Sequence, residues 1–195
     1  MPRPSRSPSL RSDAAANRER ILQTAALVVN RRGPQVPMVQ FAKAAGVGVG
    51  TLYRHFPSRE DLIGALQYRA LEHVRDAARE AAGLDLPATD AMARFFRGVI
   101  SRRDELVLPL NGGPALVDPA LATLQAEVRA SIRSILDRGQ ARGTIRAEVS
   151  SFDVIVIGAM LSQPLPLIDD WEEVAQRLAR VFLRGLTCQD DASES

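Results

Sequence analysis

The chain of 195 residues is 46% hydrophobic, 25% charged and 5% aromatic; one cysteine (Cys188) excludes a disulfide framework, and two histidines (His55, His73) are too few for a His-rich metal centre. No apolar run reaches the length of a membrane span, and the Arg/Ser/Pro-rich start lacks a secretory signal, so a cytoplasmic protein with no metal or other cofactor is expected. The net charge of +2 hides a polarity: residues 1–60 carry ten basic groups against three acidic ones and the remainder 15 against 20, so a polyanion would be met by one end only.

Residues 1–12, MPRPSRSPSLRS, read as a disordered basic arm, with Asp13 capping the helix that follows. Ile21, Leu22, Ala25, Val28 and Val29 fall at helical spacing, and Gly33-Pro34 stops that helix. After Pro37 a short helix over residues 38–44 is expected, closed by Gly46, which can take a positive φ. A second short helix follows at about residues 48–55. Two short helices joined by a glycine turn are a helix-turn-helix signature, here at about residues 37–56 within a DNA-binding domain of residues 13–57.

Phe56-Pro57 breaks the chain. Ser58 then caps a long helix, with Asp61 as its reciprocal partner, and Leu62, Ile63, Leu66, Ala70, Val74, Ala77 and Ala81 form its buried face up to Gly83. Further helices are expected at about residues 88–103, 104–110, 118–141, 151–163 and 169–187. The stretch FDVIVIGAML (152–161) is β-branched and apolar nearly all round. It has no partner strand, so it reads as a helix buried on two sides, the second side being a place for another subunit. The fold class is therefore all-α, with about nine helices: the DNA-binding domain, a body of residues 58–187, and a flexible tail of residues 188–195.

The segment GVGVGTLYRHFPSREDL (46–62) resembles the DNA-binding domain of the TetR family of transcriptional regulators. The resemblance extends from Arg18 to Leu66 through NRERILQTAALVV and FAKAAGV, and ILDRGQARGTIRAEV further on is similar to SbtR-like members. It implies DNA-contact positions at Val49, Gly50, Thr51, Tyr53, His55 and Arg59, with Gly48 at the head of the same helix. The side chains suit the role. Thr51 offers a methyl and a hydroxyl, Tyr53 and His55 can donate to phosphates, and Arg59 can reach the backbone. Leu52 and Phe56 should face inward. Arg54 either joins the contacts or forms an intramolecular ion pair. Gly48 and Val49 stand where many relatives carry Ser and Lys or Arg, and Pro37 where many carry Ser or Thr. Binding is then expected to lean on Arg59, Lys43 and the arm, through Arg3, Arg6 and Arg11.

The resemblance also implies a ligand-sensing body, with pocket walls from Leu66, Phe95, Phe96, Val99, Leu106, Leu110, Leu124, Val128 and Met160, and a mobile entrance at LPLNGGPALVDP (108–119). An apolar lining suits a hydrophobic or amphipathic small-molecule effector. Palindromic operators require two recognition helices, so a homodimer on double-stranded DNA is expected. Its interface is sought in the last two helices, at Val154, Ile157, Gly158, Leu161, Trp171, Val174, Leu178 and Phe182, with no membrane partner. The reading is a ligand-responsive homodimeric repressor. The alternatives are a dimeric DNA-binding regulator without an inducer, and a helical enzyme with a basic front end. No catalytic constellation supports the enzyme: GVGVG lacks the strand and spacing of a dinucleotide site, and His55 has no nucleophile or orienting carboxylate in local sequence.

Overall fold

The computed structural model describes residues 8–107, 118–165 and 168–187, with side chains from residue 15 on. Among the described residues the secondary structure is helical: α1 Pro8–Arg32, α2 Met38–Ala44, α3 Val49–His55, α4 Arg59–Gly83, α5 Ala88–Ser101, a 3-10 turn Arg103–Glu105, α6 Pro119–Ala141, α7 Ser151–Leu161 and α8 Trp171–Leu186. Two expectations are corrected. The first helix is already formed at Pro8, well before Asp13, so Asp13 lies within it and does not cap its start. Of the helix expected at 104–110, residues 108–110 lie outside the described residues, and the described part is the end of the 3-10 turn followed by Leu106 in an extended conformation. The stretch at 152–161 is helical, as expected.

The chain divides into two compact units, residues 1–68 with 107–115, and residues 69–106 with 116–195. In the first unit, α1 packs on α2 and α2 on α3. The core is Ile21, Leu22, Ala25, Ala26 and Val29 of α1, Met38, Phe41 and Ala42 of α2, Leu52 of α3, and Phe56, Leu62, Ile63, Leu66 and Val107. Each large side chain so enclosed contributes about 1.5–3 kcal/mol relative to exposure. The turn between α2 and α3 depends on Gly46, whose φ of 64° favours a residue without Cβ. That turn lets the Val47 N–H reach back to the Ala42 carbonyl at 3.0 Å, closing α2. Ahead of α4, the Ser58 N–H and hydroxyl donate to Asp61 Oδ2 at 2.9 and 2.7 Å, and the Asp61 N–H donates to Ser58 Oγ at 3.0 Å, completing the expected capping box.

In the second unit, α5 packs against α6, α7 and α8. Phe95 and Phe96 lie at its centre with ring centroids 5.6 Å apart, and Phe182 meets Phe96 edge-on at 5.9 Å. The inner face of α7 comes close to these rings: a Cβ on Gly158 would lie 3.3 Å from Phe95 Cε1. Trp171, at the start of α8, donates from Nε1 to the Leu161 carbonyl at 2.9 Å, tying α8 to the end of α7. Ser150 and Asp153 form a second capping box before α7, and these hydrogen bonds hold the Asp153 carboxyl below its usual pKa.

His73 on α4 belongs to a polar cluster within the second unit. Its Nδ1 is 2.8 Å from Arg102 Nη1, and its Nε2 lies 3.3 Å from Glu105 Oε2, close but poorly aligned for a hydrogen bond. Arg69 donates to the same Glu105 oxygen at 2.8 Å. Burial lowers the pKa of His73; Glu105 and Asp76 oppose that shift, while Arg102 and Arg69 add to it. Beside an arginine donor, Nδ1 must accept, so the neutral ring fits. The folded state therefore binds the proton less readily than the unfolded state. Stability is present above the unfolded value near 6.5 and is lost as pH falls from there toward the folded pKa. Urea midpoints should drop between neutral and mildly acidic pH, and His73→Gln should flatten that drop.

Candidate nucleic-acid interface

The seven residues of α3 present two faces. Leu52 is buried and, with Phe56 just beyond the helix, is locked into the core of the first unit, while Val49, Gly50, Tyr53 and Arg54 are exposed and Thr51 and His55 are half-buried. Positions 52 and 56, four residues apart, stack on one side, and packing against α1 and α2 rather than helical spacing alone leaves 49, 50, 53 and 54 uncovered. Gly48 is the N-cap of α3 and is exposed, as is Lys43 in the last turn of α2. Leu52 and Phe56 therefore face inward, as the sequence analysis expected. Arg54 is on the outer surface.

Arg59 is less free than expected. Its Nη1 donates to Gln35 Oε1 at 3.1 Å, and its Nε is buried without a hydrogen-bond partner. Arg59 as a residue is half-buried, so a phosphate contact would have to go through the guanidinium nitrogens other than the buried Nε. On DNA, Arg59→Ala is expected to weaken binding about uniformly across sequences and to lower the slope of log affinity against log salt by about 1. Anisotropy titrations at several salt concentrations measure it.

The sequence reading missed a neighbouring surface. On α2, Val39 is 56% exposed and Gln40 is exposed, the latter accepting from Arg32 Nη1 at 3.1 Å. The available signal was the spacing of Met38, Phe41, Ala42 and Ala45, which turns positions 39, 40 and 43 outward. Arg18 also lies with its guanidinium 5.0 Å over the Phe56 ring, bracing the end of α3. Arg3 and Arg6 lie outside the described residues, and Arg11 sits on α1.

Among the expected effector-binding residues, Leu66 is buried in the first unit; Phe95, Phe96, Val99, Leu106, Leu124 and Val128 are buried in the second. Leu110 and most of the expected entrance, residues 108–117, lie outside the described residues. Met160 is corrected: it is 59% exposed on the outer face of α7 and lines no interior. Gln67, unforeseen, is buried on α4 with neither amide atom hydrogen-bonded among the described residues. Its signal was one polar position within the apolar stripe of Ile63, Leu66, Ala70 and Val74.

The expected interface residues also divide. Val154, Gly158, Leu161 and Trp171 are buried within the single chain, which corrects their assignment to a partner surface. Ile157, Val174 and Phe182 are half-buried, and Leu178 is exposed. Besides Leu178, the outward apolar residues of these two helices are Phe152, Met160 and Val181, at 70%, 59% and 60% exposure. Phe152, Val156, Ile157 and Phe182 line an open groove of about 430 Å³ together with Arg146, Glu148 and Asp153. Among the described residues no helix is long and apolar enough to cross a membrane, and no cluster of His, Cys, Asp or Glu is arranged to hold a metal.

A short helix with its inner side locked and its outer side free, following a glycine turn, defines a helix-turn-helix protein. The family model for bacterial regulatory proteins of the tetR family matches residues 21–66, and that for the C-terminal domain of SbtR-like transcriptional regulators matches residues 87–188. The chain belongs to the TetR family and is a DNA-binding transcriptional regulator, its C-terminal domain of the SbtR-like kind. It is 33% identical over 120 residues to the HTH-type transcriptional repressor LfrR of Mycolicibacterium smegmatis, covering 60% of this chain and 61% of that relative, less than two thirds of its length. A TetR transcription regulatory protein from Mycobacterium vanbaalenii is 33% identical, with a TM-score of 0.61 over 92% of this chain and 99% of that one. The structure of AibR in complex with isovaleryl coenzyme A and operator DNA is similar in fold, with a TM-score of 0.67, 17% identity and coverage of 87% and 97%. These relatives are regulators, not enzymes.

Proposed function

We propose that the protein is a homodimeric repressor that binds a palindromic operator and is released by a small hydrophobic or amphipathic effector. The observation that carries the DNA half is the division of α3, with Leu52 and Phe56 fixed inside and Val49, Gly50, Tyr53 and Arg54 outside. LfrR, named a repressor, supports the direction of control. AibR, solved in complex with isovaleryl coenzyme A and operator DNA, supports a protein of this fold that takes both a small molecule and DNA.

The dimer rests on the exposed apolar face of α7 and α8, which a lone subunit would leave to water. The effector rests on Gln67, whose buried amide has a donor and an acceptor to offer within an apolar stripe. Coupling would run through α4. That helix begins two residues beyond Phe56-Pro57 and continues from Arg59 to Gly83, so it is the covalent route by which an effector would act on α3. An effector must bind the DNA-incompetent state better by about 1–3 kcal/mol to be useful. The burial of Phe95, Phe96, Val99, Leu124 and Val128 favours a second reading, in which the body only dimerises.

Selection of bound duplexes from a random pool tests the first half: a palindrome with two half-sites is expected, and an asymmetric single site would sink the dimeric reading. Anisotropy of the selected duplex across a panel of neutral and amphipathic small molecules tests the second. Release by none would leave the body as a dimerisation module.

A further inference from the structure

The end of α3 that leads into a groove carries no hydrogen-bonding side chain. Gly48 and Gly50 have no side chain at all, and Val49 between them is 40% exposed. Crowding within the chain does not demand these glycines: a Cβ on Gly50 would meet nothing within 4 Å, and one on Gly48 only Thr51 Oγ1 at 3.9 Å. Neither has a positive φ. Their lack of Cβ thins the outer surface of the helix head and leaves the Val49 isopropyl group standing clear. One turn on, Tyr53 is 46% exposed on the same face. Polar side chains on α3 begin only at Thr51 and continue with Tyr53, Arg54 and His55.

In the major groove, guanine, adenine and cytosine are told apart by donors and acceptors, and thymine also by its C5-methyl group. An isopropyl group answers only the last of these. Set against the amino group of cytosine, it would strip water from a polar group and give nothing back. We infer that Val49 is a specificity-determining residue that reads the C5-methyl of a thymine in each half-site, with Gly48 and Gly50 allowing the helix backbone to come close. This rests on the reading of α3 as the groove helix. Sequence preference at that base pair is then steric and apolar, while Thr51, Tyr53 and Arg54 act on neighbouring groups.

The test uses the full-length protein and the duplex it enriches from a random pool, with each thymine replaced singly by uracil. Uracil removes the methyl and keeps the O4 acceptor and the pairing. Loss of one well-packed methyl contact corresponds to about a fourfold drop in affinity per half-site. One thymine per half-site should show it, while uracil in the flanks should have no effect. Val49→Ala should weaken binding to the thymine duplex and lose its discrimination against uracil. Its unfolding midpoint should match the wild type, because the side chain is not part of the core. Uracil tolerated at every position by the wild type would overturn the inference, as would a Val49→Ala variant still as sensitive to uracil as the wild type. If the pool yields no enriched sequence, the groove-helix reading fails and takes this inference with it. An enriched operator indifferent to uracil overturns this inference alone.

Discussion

Phe56→Ala is expected to unfold the DNA-binding unit at denaturant concentrations that leave the body folded. Phe56 is 2% exposed, its N–H closes α3 onto the Leu52 carbonyl at 2.9 Å, and Arg18 lies over its ring. Truncating a buried phenylalanine costs about 3–5 kcal/mol. That is a large share of the 5–15 kcal/mol, roughly, that holds a whole domain together. A unit of this size buries proportionally little surface and has little stability in reserve. The chain's only tryptophan, Trp171, lies in the other unit, buried and hydrogen-bonded to Leu161, so its fluorescence follows the body alone. Circular dichroism should therefore show an early loss of helix while Trp171 emission holds, and operator affinity should fall with the early phase. Phe56→Leu should keep most of the stability. A single transition, in which both signals shift together, would show that α4 makes the units one cooperative body.

How legible this was depended on which physical signal was local. The α2–α3 pair could be read because Pro37 and Gly46 punctuate it and because Leu52 and Phe56 recur at a helical interval. The start of α1 could not be read by composition. The run of Pro, Ser and Arg before Asp13 suggested disorder, yet the residues from Pro8 on are helical. At 104–110 the run DELVLPL lacked a start signal, and one 3-10 turn forms before the chain extends at Leu106.

For α7 the sequence identified a helix but not its orientation. A segment that is apolar all round has no preferred side by periodicity, so Val154, Gly158 and Leu161 could not be separated from Phe152 and Met160. Tertiary packing makes the choice: Gly158 stands where Phe95 and Phe96 approach α7, and a Cβ there would lie a tight 3.3 Å from Phe95 Cε1. Gln67 and the Arg59–Gln35 contact were hidden for a related reason. Both depend on partners, or the want of them, far from the residue along the chain.

The orientation of α7 leads to the other large expected effect. With Gly158 turned inward, Phe152, Val156 and Met160 recur at four-residue intervals on the outer side, and on α8 Val174, Leu178, Val181 and Phe182 do the same at intervals of three and four. Two copies of such a pair, related by a two-fold axis, would make a four-helix interface in which every substitution occurs twice. Phe152→Glu combined with Val181→Glu would thus bring four carboxylates into one apolar seam, each costing several kcal/mol if buried without a partner. The double variant should sediment as a 21.2 kDa monomer at micromolar concentration. Its helix content should be kept, since both side chains are more than half exposed in the single chain. Operator affinity should drop by about a hundredfold or more, because the second half-site is no longer held at high effective concentration. Leu84→Glu, a charge of the same kind at another exposed apolar position, should change neither mass nor affinity. A double variant that stays dimeric would move the interface elsewhere and leave the outer face of α7 and α8 for a different occupant.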